Sequence, residues 1–566
     1  MFWPEWTDNN YLGLNLRDLK VDESYLNVSN QISQRFCLYS LSEDCVNCPL
    51  RKLKQIIPNE DTIVTLEVAR NLELRLVKDV CQNYLYQNQS TEGLSWSAKP
   101  ELGEFGVYTL SINNMIKFEV DLEPVNVYLS LLYVGLLVSI FYWICKAGNK
   151  FYKSQFETPQ PTQPDNETVA LTTQRRLKSL DIFRGIAIVL MIFVNSGGGQ
   201  YWWIEHAVWN GLHLADLVFP WFLFIMGVCI PLSIRSQINK EISKTNIVKK
   251  VIKRSLTLFV LGLFLNTTSG ATFETIRIFG VLQRFAVAYL ATSLIHLAFV
   301  TDTITSETRF QQVFHDIRLI WRQWIVIILL ILLHLAVIFS FKAPNCSRGY
   351  FGPGGMHDYN QHQNCTGGVI GYIDRMILGE NHMYQHAKIR SVYGALVFDP
   401  EGVFGCLLTI VQVFFGLQCG VTLLVYPTPK DKLNRWILWS IMLASITAIL
   451  TFFSVEDGII PINKNLWSLS FVTITTSLAF LLFSAIYYLV DVKNIGDDFW
   501  KIFLYPGMNA IVLYVGHSIF HKMWPFHFSF AVMNTHFLFL LENIYTVIIW
   551  IFIARKLYHK KVFLNI

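Results

Sequence analysis

Residues 178–234, KSLDIFRGIAIVLMIFVNSGGGQYWWIEHAVWNGLHLADLVFPWFLFIMGVCIPLSI, gather groups able to do chemistry where such groups are costly. An apolar run at 182–194 leads into a polar, Gly- and aromatic-rich turn at 195–213, and a second apolar run follows at 214–234. Asp181 and Arg184 stand at one mouth of the first run, and Asn195 and His206 at its far end. Ionisable and polar groups at membrane depth are expensive unless they are paired or functional. The spacing of three puts Asp181 and Arg184 on one helix face, either as an ion pair that also suits the N-terminal dipole or with Arg184 holding an anionic ligand. His206 follows Gly197, Gly198 and Gly199, which permit close backbone approach. Asn195 is a neutral donor nearby, and Glu205 and Asp216 are candidate orienting carboxylates. A lone histidine near a membrane interface is more often structural, and that company raises the catalytic alternative. Tyr201, Trp202, Trp203 and Trp209 in the same turn suit an aromatic belt at a membrane interface.

The elements that must position these groups are set by composition. At 52% hydrophobic and 15% charged residues, against about 25% charged in soluble domains, the sequence is that of a polytopic α-helical membrane protein. Its net charge of +5 comes from short basic clusters beside apolar runs, which serves topology rather than nucleic-acid binding. Apolar runs near 125–145, 182–194, 214–234, 255–266, 279–300, 324–341, 404–425, 436–453, 466–490, 502–519 and 537–554 predict about eleven transmembrane helices. Alternating them across a bilayer gathers every strong basic cluster on one side: Lys146 to Lys153, Lys240 to Arg254, Lys430 to Arg435 and Arg555 to Lys561. By the positive-inside rule that side is cytosolic.

The same alternation places residues 1–123 and the long loop 342–403 in the lumen. Residues 1–123 are polar, with period-two runs at 63–68, 72–77 and 106–112 that predict a small β-rich domain. Residues 124–145 form the first transmembrane helix, the Pro-rich segment 146–180 a cytosolic linker, and 181–566 the multi-helix core. The start of the sequence has no basic stretch followed by an apolar run, so no signal peptide is expected there. Cys37, Cys45, Cys48 and Cys81 suit structural disulfides in an oxidising compartment, with metal binding as the alternative. Cys346 and Cys365, each beside a sequon, are expected to pair, whereas Cys145, Cys229, Cys406 and Cys419 read as apolar fillers. Sequons at Asn27, Asn88, Asn345 and Asn364 agree with a lumenal side, and that at Asn166 falls in the linker.

Further polar groups crowd the later spans: Arg277, Gln283 and Arg284 in IRIFGVLQR, Asn463, Lys464, Asn465 and Ser468 in PINKNLWSLS, and Asn509 and His517 in YPGMNAIVLYVGH. They could form a network tying helices together. Several cations without equal acids nearby favour an anionic ligand instead. A secondary transporter of a sugar or anionic solute also has many spans and midplane polar groups, but SLDIFRGIAIVLMIFVN has no second copy in the chain.

These motifs, with GYFGPGG, NCTGG, GYIDR and FDPEG, resemble the heparan-alpha-glucosaminide N-acetyltransferase family from about residue 176 to the C-terminus. The resemblance implies a lysosomal membrane enzyme, a homodimer, that moves acetyl from cytosolic acetyl-CoA to the terminal glucosamine of heparan sulfate. It assigns His206 as the active-site histidine and Asn195 as the catalytic asparagine. Acetyl-CoA is then expected to draw on Arg184, Arg284, Gln283, Lys464, Asn465, Ser468, Asn509 and His517, with no metal. Asp358, Asp374, Asp399 and Glu401 are lumenal carboxylates able to attract the sugar ammonium.

Overall fold

The computed structural model describes residues 10–11, 13–79, 81–86, 93–156, 177–268, 270, 272–300, 314–529 and 534–564, with side chains at 145 and 149–156 outside the description. The sequons at Asn88 and Asn166 and most of the linker therefore lie outside the described residues. The polar N-terminal region is a β-sandwich. One sheet runs Ile116–Leu122, Val107–Ile112, Glu23–Asn30, Glu60–Glu67, and the other Tyr84–Leu85, Leu50–Ile56, Phe36–Ser42, Leu72–Lys78, Leu94–Ala98. The period-two runs set this arrangement: Leu26, Val28, Leu66, Leu110 and Ile112 from one sheet meet Phe36, Leu38, Leu74 and Leu76 from the other in a single core. Disulfides join Cys37 to Cys81, Cys45 to Cys48 and Cys346 to Cys365, as expected of cysteines in an oxidising compartment. Cys229, Cys406 and Cys419 are free thiols, the last two buried.

Each of the eleven apolar runs is helical. We label the long helices α1 (Tyr128–Phe156), α2 (Lys178–Asn195), α3 (Leu214–Asn239), α4 (Lys244–Asn266), α5 (Val281–Phe299), α6 (Trp321–Ser340), α7 (Cys406–Val425), α8 (Pro429–Thr451), α9 (Leu469–Tyr487), α10 (Asp497–Met508), α11 (Ala510–Phe520) and α12 (His536–His559). Among the described residues, 8 helices are long and apolar enough to cross a membrane, or 9 if the α10–α11 pair, bent by 73°, is one span. The expected eleven is thus an overcount by this measure. Two helices fall short because of their charges: α2 carries Lys178, Asp181 and Arg184, and α4 opens with a run of lysines.

Helix crossings in a bilayer depend on close backbone approach at small residues. At the α3–α7 crossing a Cβ on Gly227 would strike the Val413 carbonyl, and one on Gly416 the Phe224 carbonyl. Where α2 meets α10, a Cβ on Gly185 would strike the Phe503 carbonyl and one on Gly507 that of Asp181. The α10–α11 break falls at Asn509, three residues after Pro506, whose missing N–H and bulky ring weaken the last helical turn.

The β-sandwich packs on the end of the bundle formed by residues 196–213, 342–403 and the start of α12. Tyr393 Oη donates to the Asp44 carbonyl at 2.8 Å, Asn360 Nδ2 to Tyr86 Oη at 2.5 Å, and Arg70 lies 3.9 Å over the Trp202 ring. The aromatic turn is not a belt. Tyr201 is buried, stacked 4.4 Å from His536, and Trp209 is buried with Nε1 donating to the Phe351 carbonyl. Of the two, neither faces lipid, because the loops and sandwich cover this end.

Candidate active site

The turn between α2 and α3 places His206. Gly197, Gly198 and Gly199 all have positive φ, and Gly199 is pinned from both sides: its N–H donates to Asn543 Oδ1 at 2.7 Å and its carbonyl accepts from His536 Nδ1 at 2.8 Å. The chain then returns to α3, whose third residue, Asp216, caps its own helix by accepting from the His213 N–H at 3.0 Å. The other oxygen of this fully buried carboxylate accepts from His206 Nδ1 at 2.7 Å. A helix cap thus serves as the anchor of the imidazole and fixes its tautomer, with the proton on Nδ1 and the lone pair on Nε2. Glu205, the other candidate anchor, turns away to pair with Lys388.

Lys464 comes from the loop before α9 and puts Nζ 3.0 Å from His206 Nε2. The His206 side chain is 47% accessible, into a cavity of about 100 Å³ that it lines with Asn195, Glu401, Lys464, Tyr514 and an apolar wall including Val194, Val218 and Phe219. Burial first, and then the Lys464 charge, hold the imidazole below its usual value near 6.5 against the pull of Asp216. Burial and the neighbouring Arg284 and Arg277 likewise lower the Lys464 ammonium, against Asp216 and Glu401.

Asn195, the last residue of α2, donates from Nδ2 to His517 Nε2 at 2.9 Å. His517 Nδ1 faces the Leu513 carbonyl at 3.0 Å and so carries the ring proton, which makes Nε2 an acceptor and fixes the Asn195 amide with its nitrogen toward His517. One N–H of that amide stays uncommitted beside the cavity.

A second cavity, about 340 Å³, lies between α2, α3, α4, α5 and the broken α10–α11 pair; Arg184, Arg254 and Cys229 are among its lining, with apolar residues between them. The two cavities share Met191 and Tyr514. Together they run the length of α2, from Arg184 near its start to Asn195 at its end. Arg184 also meets Asp181 at 3.5 Å and the Gly507 carbonyl at 3.4 Å.

Of the residues singled out for acetyl-CoA, Arg184 lines the larger cavity and Lys464 the smaller, while His517 holds Asn195. Arg284, Gln283, Asn465, Ser468 and Asn509 line neither. Arg284 donates to the Gly402 carbonyl at 2.7 Å and lies 4.9 Å over Trp467; Gln283 packs against Gly262; Asn465 donates to the Val208 carbonyl; Ser468 caps α9; Asn509 sits buried at the helix break. The expectation of cations without matching acids does not hold for Arg277, whereas buried Arg284 has no carboxylate partner among the described residues. Arg277 makes a fork to Asp399, with contacts at 2.9 and 2.6 Å, and reaches Glu401 at 2.7 Å, so a loop far away in sequence supplies the acids. Of Asp358, Asp374, Asp399 and Glu401, only Glu401 lines the smaller cavity. Asp374 accepts from the Phe404 N–H and, mainly through burial, is pushed up to about 6.

Arg254 and Tyr514 were not singled out from sequence. Arg254 belongs to a basic cluster that reads as topology, and Tyr514 to an apolar run. Among the described residues no group of three or more His, Cys, Asp or Glu side chains could hold a metal ion.

Comparison with known proteins adds an independent line. Residues 176–343 match the family model described as heparan-alpha-glucosaminide N-acetyltransferase, catalytic. The chain is 36% identical over 595 aligned residues to the heparan-alpha-glucosaminide N-acetyltransferase of Homo sapiens, covering 97% of this chain and 89% of that protein. It is 35% identical over 599 to that of Mus musculus, with the same coverage.

Proposed function

This chain belongs to the heparan-alpha-glucosaminide N-acetyltransferase family, and we propose that it moves acetyl from acetyl-CoA to the terminal glucosamine amine of heparan sulfate along the two joined cavities. The observation that carries this reading is that the two cavities adjoin at shared walls, Met191 and Tyr514, with an arginine-bearing cavity on one side and the His206–Asn195 cavity on the other. Membership of an acetyltransferase family disfavours the transporter alternative.

The larger cavity suits the donor. Arg184 and Arg254 offer cationic forks for phosphate at its polar end, and its apolar walls suit the pantetheine arm. The thioester then reaches the junction. The acceptor amine approaches the Nε2 lone pair of His206 from the sandwich-covered end, beside Lys464 Nζ, which lies 3.0 Å from Nε2 and 3.1 Å from Nδ1. Sugar entry displaces Lys464, and Glu401 on the same cavity wall is its alternative partner. A sugar amine is mostly ammonium in acid, so its base must be neutral there, which the lowered His206 provides. As nitrogen attacks, the carbonyl oxygen gains negative charge, and the free N–H of Asn195 is the fixed donor for it. In this reading amine and thioester meet directly where the two cavities adjoin, without an acetyl-histidine.

The setting follows. Exposed sequons at Asn345 and Asn364, and all three disulfides, lie in the sandwich or the loops it covers, which supports a lumenal sandwich, a cytosolic C-terminus and a lysosomal membrane. The family resemblance supports a homodimer. Purified protein given acetyl-labelled acetyl-CoA, with and without glucosamine, tests the reading. Label on the sugar and none on the protein is expected; counterflow of sugar without acetylation, or label on His206, contradicts it.

A further inference from the structure

Resting on that reading of the two cavities, we propose that Tyr514 is a further catalytic residue, whose phenolic hydroxyl protonates the departing CoA sulfur. Any acetyl transfer from a thioester must supply a proton to the thiolate, at the point where the donor arm meets the acetyl group. Among polar side chains lining the two cavities, Tyr514 alone borders both; Arg184, Cys229 and Arg254 line only the larger, and Asn195, His206, Glu401 and Lys464 only the smaller. If the acetyl carbon lies beside Asn195 and His206 while the phosphates lie toward Arg184 and Arg254, the C–S bond falls at the junction.

The hydroxyl is free for this task. Buried tyrosines elsewhere commit theirs: Tyr201 Oη donates to the Val127 carbonyl at 2.9 Å, and Tyr393 Oη to that of Asp44 at 2.8 Å. Among the described residues no hydrogen bond commits the Tyr514 hydroxyl. Its ring is set instead by an edge contact with His517, centroids 5.6 Å apart, the same histidine that holds Asn195. One histidine thereby fixes both the carbonyl donor and the sulfur donor.

The chemistry matches. A phenol is a weaker acid than an aliphatic thiol in water, so its proton moves only as the C–S bond breaks and charge builds on sulfur. The arginines cannot give up a proton. In the step, the amine, its ammonium proton already released through His206 to solvent, bonds through nitrogen to the carbonyl carbon, and the proton it then sheds passes to His206 Nε2. The C–S bond breaks, sulfur keeps the electron pair and takes the Tyr514 proton, and the phenolate is reprotonated from the His206 imidazolium across the smaller cavity. The net change is one proton from amine to sulfur, and free thiol leaves through the larger cavity.

The full chain carrying Tyr514→Phe keeps the ring and its packing. It would be assayed with acetyl-CoA and with a CoA analogue whose acetyl is held on an arenethiol, which leaves without needing a proton. We expect kcat with acetyl-CoA to fall about 10²-fold, KM to hold, and the arenethiol donor to lose less than about threefold. Equal losses on both donors, with an unchanged unfolding temperature, would overturn the assignment. Met191→Leu at the same junction should leave the ratio between donors unchanged, and a shifted ratio there would also count against Tyr514. Failure of the unaltered protein to transfer from either donor would instead be a failure of the acetyltransferase reading.

Discussion

His206 is made a base by its neighbours rather than by its own ring. Asp216 fixes the tautomer at 2.7 Å, while burial and Lys464 depress the pKa. The sign is definite: the base works neutral, so activity falls as pH drops through its pKa, and a depressed pKa carries activity further into acid. Lys464→Met removes the repelling charge, so the acid limb of kcat/KM should move to higher pH; a pH–rate profile with an unmoved limb would remove Lys464 from this role. Asn195→Ala should lower kcat by about 10²–10³ with little change in KM for acetyl-CoA, and His517→Ala should reproduce part of that loss by freeing the amide. Weakened acetyl-CoA binding at unchanged kcat would make Asn195 a ligand contact instead. At this scale the sequence shows His206 and Asn195 because they interrupt apolar runs. Tyr514 is invisible, since a tyrosine in an apolar run looks like packing.

The helices that carry these residues are held by backbone contact. Gly416→Val would drive a branched side chain into the Phe224 carbonyl, and overpacking of this kind costs about 1–3 kcal/mol. Its thermal unfolding temperature should fall while Gly135→Ala, in open space within α1, should matter far less. The larger cavity depends on elements that sequence periodicity separates: α2 supplies Arg184, α4 supplies Arg254, and the α10–α11 break opens the wall between them. Arg184→Ala and Arg254→Ala are expected to raise KM for acetyl-CoA with kcat nearly kept, measured by initial rates at varied donor. Helix existence is legible from each apolar run. What the runs cannot give is pairing, because crossings such as Gly227 with Gly416 join residues almost two hundred positions apart, and a helix break at Pro506 gives no hint of the cavity beside it.

At the scale of the whole molecule, the sandwich touches the active-site turn through Arg70 over Trp202 and through a charged cluster. Both ring nitrogens of His536 face acceptors, the Gly199 carbonyl at 2.8 Å and Asp22 Oδ1 at 3.0 Å, an arrangement met by an imidazolium with two N–H donors. Glu104 of the sandwich, buried beside them, is pushed up from 4.5 to about 7, chiefly by burial and despite the His536 charge. A carboxyl raised in the docked state favours docking most below its free pKa and loses that contribution as pH rises toward 7; loss of the His536 charge acts in the same direction. Docking should therefore be tightest in acid. Hydrogen-exchange protection at 196–204, taken relative to the intrinsic base-catalysed rate, should fall between pH 5 and 8, and Glu104→Gln should flatten that fall; pH-independent protection in the unaltered protein would contradict it. The period-two pattern announces a β-rich domain, and the basic clusters support the proposed side of the membrane. The latch is hidden in sequence because Asp22, Glu104 and His536 lie in three distant segments.

The central claim is that acetyl crosses from the arginine-lined cavity to an amine deprotonated by His206. Its most direct test is transfer in sealed vesicles, with acetyl-labelled acetyl-CoA outside, on the face bearing Lys249, Lys250 and Arg254, and glucosamine inside. The unaltered protein should label the enclosed sugar, and His206→Ala should bind acetyl-CoA yet lose transfer by about 10²–10⁴-fold. Labelling of the enclosed sugar by His206→Ala at close to the original rate would contradict the account.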